Sequence, residues 1–146
     1  MKPILTTLTQ VIFEIFGDMF FMFPEHYDPE ERVEFPLDWI RYRLKITAGE
    51  SFFLNFYFTP QQATLMAENF LGESAGEIST TIIDDTLKEA VNVMGGNLLN
   101  RMGEEYHLGI PEKCVTEDVA QLYEDYHGQH AVLLNIESFP FLVTID

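Results

Sequence analysis

Residues 39–58 carry the pattern that limits the fold most. From Trp39 to Ile46 the chain alternates, with Ile40, Tyr42, Leu44 and Ile46 on one side and Arg41, Arg43 and Lys45 on the other. A period of two belongs to a half-buried strand. Phe52 to Phe58 is an aromatic-rich run of strand-forming residues. Ala48-Gly49-Glu50 is a short turn between the two runs, and together they predict an antiparallel hairpin.

The flanking segments are helical. Leu5, Leu8, Ile12, Ile15, Phe16, Met19 and Phe20 recur at steps of three and four, which predicts a helix over Ile4 to Phe23, stopped by Pro24. Pro29 lies in the acidic loop that follows, and Val33 to Phe35 could open a strand. Thr59-Pro60 reads as a helix cap followed by proline at the first helical position. That helix runs to about Leu71 and ends at Gly72. After a polar loop over 73–79, Thr81 to Glu105 is the longest helical pattern. Val115 to Tyr126 fits strand or helix, and Ala131 to Glu137 and Phe139 to Ile145 read as a terminal antiparallel pair of strands. Helix, hairpin, two helices and further strands make an α+β fold, an antiparallel sheet packed with about three helices. With 146 residues and no repeat or Gly/Ser linker, one domain over 1–146 is the expectation.

Composition narrows the function. The net charge is −16, from 24 acids against 8 Lys and Arg. Without Lys/Arg clusters to neutralise phosphates, nucleic acid and anionic membranes are poor partners. The longest apolar stretch near the start, Met19 to Phe23, is far too short to span a bilayer, and no signal peptide is expected. Cys114 is the single cysteine, so no intrachain disulfide forms, which fits a reducing, cytoplasmic setting. It is expected as a buried thiol. The Phe residues over 13–23 and 52–58 are expected in the core. Some could serve a dimer surface, and the terminal strands could pair between subunits, so a homodimer stays open.

The chemistry is concentrated in IIDDTLKEAVNVMGGNLLNRM, residues 82–102. At 100° per residue, Ile83, Leu87, Ala90, Val91, Met94 and Leu98 fall on one side of the helix. Asp85, Glu89, Asn92 and Gly96 group within roughly 60° on nearly the opposite side. A solvated face would explain the acids alone. It does not explain Asn and adjacent glycines in mid-helix, since Gly95-Gly96 costs roughly 2 kcal/mol against two alanines. Gly96 shares the face of Asn92 and could clear room for another protein's backbone; Gly95 could serve close packing or mark a helix break.

Asp85-x-x-x-Glu89-x-x-Asn92 resembles the active-site pattern of the CheC/CheX phosphatases, an acid or Ser followed by Glu and Asn on one long helix, with small residues soon after. That family pattern ends in a proline a little over twenty residues beyond the Asn. The nearest proline here is Pro111, 19 residues after Asn92, so its place in the motif is open against a plain turn after the helix. The first helix has Glu14 followed by Gly17 and no Asn, so the single Glu-x-x-Asn site is similar to the CheX type.

The resemblance implies a phosphatase acting on a CheY-like receiver domain phosphorylated on aspartate. Asn92 would position the attacking water and Glu89 would pair with the receiver's lysine. Asp85 and Lys88 would border the docking face. The chain would need no cofactor of its own, the Mg²⁺ belonging to the receiver. Two other readings stand beside this one. The same scaffold could bind a receiver or another signalling protein without turnover. His127-x-x-His130 with Glu124 could ligate a metal, but it falls short of the ligands zinc requires, so no metal site is expected.

Overall fold

A computed structural model describes residues 2–72, 78–103, 105–116, 119–127 and 130–146. The hairpin forms where the alternation places it: β2 (Ile40–Ala48) pairs with β3 (Glu50–Phe58) in register from Ile40–Phe58 to Ala48–Glu50. Gly49 makes the reversal at φ 80, a left-handed conformation that costs glycine nothing. The terminal pair also forms, as β6 (Ala131–Ile136) and β7 (Phe139–Ile145). Two-residue strands β1 (Glu25–His26) and β4 (His107–Leu108), with β5 (Glu112–Cys114), complete the sheet. Its order is β1-β6-β7-β3-β2-β4, β5 also pairing with β2, and every pairing is antiparallel.

The helices are α1 (Lys2–Phe20), α2 (Pro60–Leu71), α3 (Thr80–Met102) and α4 (Val119–His127), so the described residues hold four where about three were expected. Within the ambiguous stretch from Val115, Val115 and Thr116 belong to no helix or strand, and Val119–His127 form α4. Helices α1, α2 and α3 cover one face of the sheet. There Tyr42, Leu44 and Ile46 of β2, Leu54, Phe56 and Phe58 of β3, and Phe141, Val143 and Ile145 of β7 meet Leu8, Ile12, Phe16, Leu87, Val91, Met94 and Leu98. Removing these side chains from water supplies the main driving force for the fold. On the other face a smaller cluster joins Trp39, Tyr57, Leu122, Leu133 and Leu142, with Val33 and Phe35 packed against it.

Several expectations are corrected. Helix α1 ends at Phe20 rather than Phe23, because Phe21 turns left-handed at φ 55 and the Met22 N–H donates back to Phe16 O. Phe21 and Phe23 then stand 69% and 71% exposed instead of in the core. Residues 33–35 form no strand and serve as packing for Trp39. The terminal pair offers no free edge at β7, which lies between β3 and β6. Cys114 is half-buried on the edge strand β5 rather than fully buried. Helix α3 begins at Thr80, capped by Ser79 Oγ accepting from the Ile82 N–H, and stops at Met102 before Gly103. The Thr59 cap holds as read, in a reciprocal box with Gln62, and Gly72 closes α2 at φ 70.

The glycine pair splits into two roles. A Cβ on Gly95 would lie 2.4 Å from Leu44 Cδ2 and 2.9 Å from Leu108 Cδ1, so the helix rests directly on β2 and β4 at this point. A Cβ on Gly96 would meet nothing within 4 Å. Gly95→Ala is therefore expected to destabilise by about 1–3 kcal/mol through overpacking. Gly96→Ala should stabilise by about 0.5–1 kcal/mol by removing backbone freedom from the unfolded chain. Urea titration of both variants reads the two signs; like-signed shifts would contradict this placement of α3.

Candidate functional site

Helix α3 separates its two faces as the spacing requires. Leu87, Ala90, Val91, Met94 and Leu98 are wholly buried, with Ile83 partly so. Asp85, Lys88, Glu89 and Asn92 are exposed on the outward side, and Gly96 lies half-buried beyond them with open space above its Cα. Glu89 and Asn92 stand three positions apart, the spacing at which side chains on one helix are neighbours.

The second wall of the site comes from the edge of β2. Strands β4 and β5 both pair with β2, at Ile46–Leu108 and Thr47–His107 on one side and at Arg43–Glu112 to Arg41–Cys114 on the other. Between them the Gly109 N–H donates to Lys45 O at 2.8 Å. A Cβ on Gly109 would sit 3.1 Å from that same oxygen, so a side chain would crowd this close approach. The next two residues, Ile110 and Pro111, are thereby held against α3. Asp85, Lys88, Glu89, Asn92, Gly109, Ile110 and Pro111 line one open depression of about 390 Å³. Pro111, whose place was open in the sequence, lines the same depression as Glu89 and Asn92. Ile110 was not foreseen; it is 83% exposed, a large apolar side chain held at the rim. The only hint of it in the sequence was an aliphatic residue set between Gly and Pro.

A polar tie joins the two walls from beneath. Tyr42 OH donates to Asp84 Oδ1 at 2.7 Å, and Lys113 Nζ donates to the same oxygen at 3.1 Å. Tyr42 belongs to β2, Lys113 to β5 and Asp84 to the first turns of α3. Partial burial pushes the Asp84 carboxyl upward. The hydrogen bonds from Tyr42 and Lys113, with the charges of Lys113 and Lys88, outweigh that and hold it below the ordinary carboxylate range. Tyr42 moves the opposite way, its phenol raised by burial and by donating to Asp84.

No group of three or more His, Cys, Asp or Glu among the described residues is placed to hold a metal ion. His127 ends α4 and its side chain lies outside the described residues, as do Gly128 and Gln129, while His130 is exposed. Among the described residues no helix is long and apolar enough to cross a membrane.

Solved structures share this fold. A chemotaxis protein CheX from Desulfovibrio desulfuricans superposes with a TM-score of 0.69 at 18% identity, over 99% of this chain and 98% of that one. CheX from Vibrio vulnificus gives 0.69 at 11% identity, over 98% and 96%. The CheX-CheY-BeF3-Mg²⁺ complex from Borrelia burgdorferi gives 0.70 at 12% identity, over 97% and 95%. At these identities the likeness defines an α+β fold of the CheX kind. No curated protein matches the chain. The family described as Chemotaxis phosphatase CheX matches residues 44–135, more than half of the chain and the whole of the depression, and the chain belongs to it.

The Asp84 tie carries a pH signature. A carboxyl with a depressed folded pKa contributes stability above its ordinary value of 3.8 and loses it as pH falls through the lower folded value. Asp84→Asn is therefore expected to lower stability at pH 7, with the gap from the parent narrowing as the pH falls below the ordinary carboxylate range. Denaturant titrations across pH 3–7 check this; a gap that does not change with pH would remove the ion pair from the account.

Proposed function

We propose that this protein hydrolyses the aspartyl phosphate of a CheY-like receiver domain, with Asn92 positioning the attacking water and Glu89 pairing with the receiver's active-site lysine. The observation that carries the reading is the joint placement of Glu89 and Asn92 on the outward face of α3, in one depression with Pro111. Membership of a chemotaxis phosphatase family supports it, as does the likeness to a CheX solved together with CheY.

An acyl phosphate is already reactive, so the catalyst needs no nucleophile of its own. It must hold water in line with phosphorus. The Asn92 amide can accept from that water and donate to it, fixing its orientation without taking a proton. The Glu89 carboxylate, exposed one turn earlier, would accept a charge-assisted hydrogen bond from the lysine and set the docking register. Ile110 offers an apolar contact at the rim, and the open space above Gly96 leaves room for the partner's backbone. The divalent cation belongs to the receiver, and this chain's part is positioning.

A non-catalytic docking module would present the same face. The spacing to Pro111 that favoured it loses force, because Pro111 lines the depression.

Asn92→Ala should leave the fold and docking largely intact while abolishing the acceleration of receiver dephosphorylation. Glu89→Ala should weaken docking and rate together, through loss of a charge-assisted bond worth about 1.5–3 kcal/mol. Decay of phosphoryl-aspartate on candidate receivers, followed with and without each variant, is the measurement. Hydrolysis by Asn92→Ala as fast as by the parent would sink the mechanism.

A further inference from the structure

Acidity poses a problem for the proposed reaction. A receiver gathers carboxylates around its phosphorylation site, and this chain carries a net charge of −16. Long-range forces should push the two apart. The few cations, however, are not spread evenly. The 8 Lys and Arg are Lys2, Arg32, Arg41, Arg43, Lys45, Lys88, Arg101 and Lys113. Five of these, Arg41, Arg43, Lys45, Lys88 and Lys113, sit on β2, β5 and the turn of α3 that borders the depression.

Two of the five are committed within the fold. Arg41 donates through Nε and Nη2 to Asn55 Oδ1 and through Nη1 to Val115 O, and Lys113 is tied to Asp84. Arg43 and Lys45 form no ion pair among the described residues. They project from the outer side of β2 into a second groove of about 460 Å³, lined also by Phe53, Gly109, Ile110 and Glu112. The Arg43 guanidinium lies 3.7 Å from the centre of the Phe53 ring, a stacked cation held in one place rather than a swinging one. Glu112 is the single acid among the described lining residues. The groove adjoins the candidate site: Gly109 and Ile110 line both, so the exposed Ile110 forms a ridge with the Glu89–Asn92 depression on one side and the cations on the other.

We infer that this groove is a second docking subsite for the receiver, taking an acidic segment of its surface against Arg43 and Lys45 while the phosphorylated site meets Glu89 and Asn92 across the Ile110 ridge. The inference rests on the phosphatase reading for the identity of the partner. The charge sign supplies the rest. In a molecule this acidic, cations with no ion-pair partner among the described residues, set beside the docking face, attract a carboxylate-rich partner in one orientation and offset the repulsion of the remainder. The groove thus sets which receivers dock and how they are turned, and takes no part in hydrolysis.

The test uses Lys45→Glu, an exposed position whose change should spare the fold, with Arg43→Gln as the second variant. Candidate receivers from the same cell, held in the activated state with beryllium fluoride and magnesium, are titrated against parent and variants at low and high salt. Separately, the rate of phosphoryl-aspartate decay is measured with the receiver saturated by the phosphatase. The expected result is a dissociation constant raised about tenfold by Lys45→Glu at low salt, since one rim attraction becomes a repulsion. The difference should shrink at high salt, and the saturated rate should stay unchanged. Equal affinities for parent and both variants would overturn the groove and leave the phosphatase reading standing. A receiver bound by the parent but not dephosphorylated would overturn that reading, the groove being judged on the affinities alone. A Lys45→Glu loss of binding seen only with phosphatidylserine vesicles or duplex DNA, and not with any receiver, would also overturn the groove.

Discussion

Strand β2 is the datum from which the working surface is measured. Its inward side chains seat α3: Leu44 lies under Gly95, and Tyr42 reaches Asp84. Its backbone edge seats the opposite wall, through the Gly109–Lys45 hydrogen bond and the pairing with β5. Its outward side chains supply Arg43 and Lys45. The gap between Asn92 and Pro111 is thus fixed by two attachments to one rigid strand, although 19 residues of chain separate them. For the proposed reaction, in which the site would hold a water in line, regular elements give a firmer base than a loop.

Much of this was legible because periodicity reports burial. The hairpin, the inner stripe of α3 and its outward carboxylate–amide face all follow from counting by two or by 3.6, and Thr59 and Gly72 mark the ends of α2. What escaped depended on contacts distant in sequence. Nothing local announces that Glu25–His26, His107–Leu108 or Glu112–Cys114 will pair, since such short strands exist only by virtue of a ready edge. Phe21 shows the reverse failure. Its place in an apolar run suggests helix and core, yet it adopts φ 55 and faces solvent. Asp84 lies at the boundary between the two faces of α3, and its partners Tyr42 and Lys113 lie 42 and 29 residues away.

Charge here is partitioned rather than merely abundant. The outer face of the sheet carries a polar relay in which buried Arg41 donates to buried Asn55 and Asn55 Nδ2 donates to the exposed Asp146 carboxylate, linking β2 and β3 to the residue that follows β7. One arginine of the alternating strand is thereby spent on architecture, while its neighbours two and four residues on remain at the surface. The period that makes β2 amphipathic also lines up its cations, so the same pattern shapes the fold and its electrostatic asymmetry.

The position of β7 has a further consequence. It is the latest element in sequence order, yet it sits between β6 and β3 and joins what would otherwise be two separate ribbons. The β1-β6 ribbon and the β3-β2-β4 ribbon therefore keep open edges that cannot be sealed until this strand inserts. Union of the two ribbons rests on the long-range pairing of β3 with β7, and any chaperone that shields this chain would have to guard those two unsealed edges until it occurs.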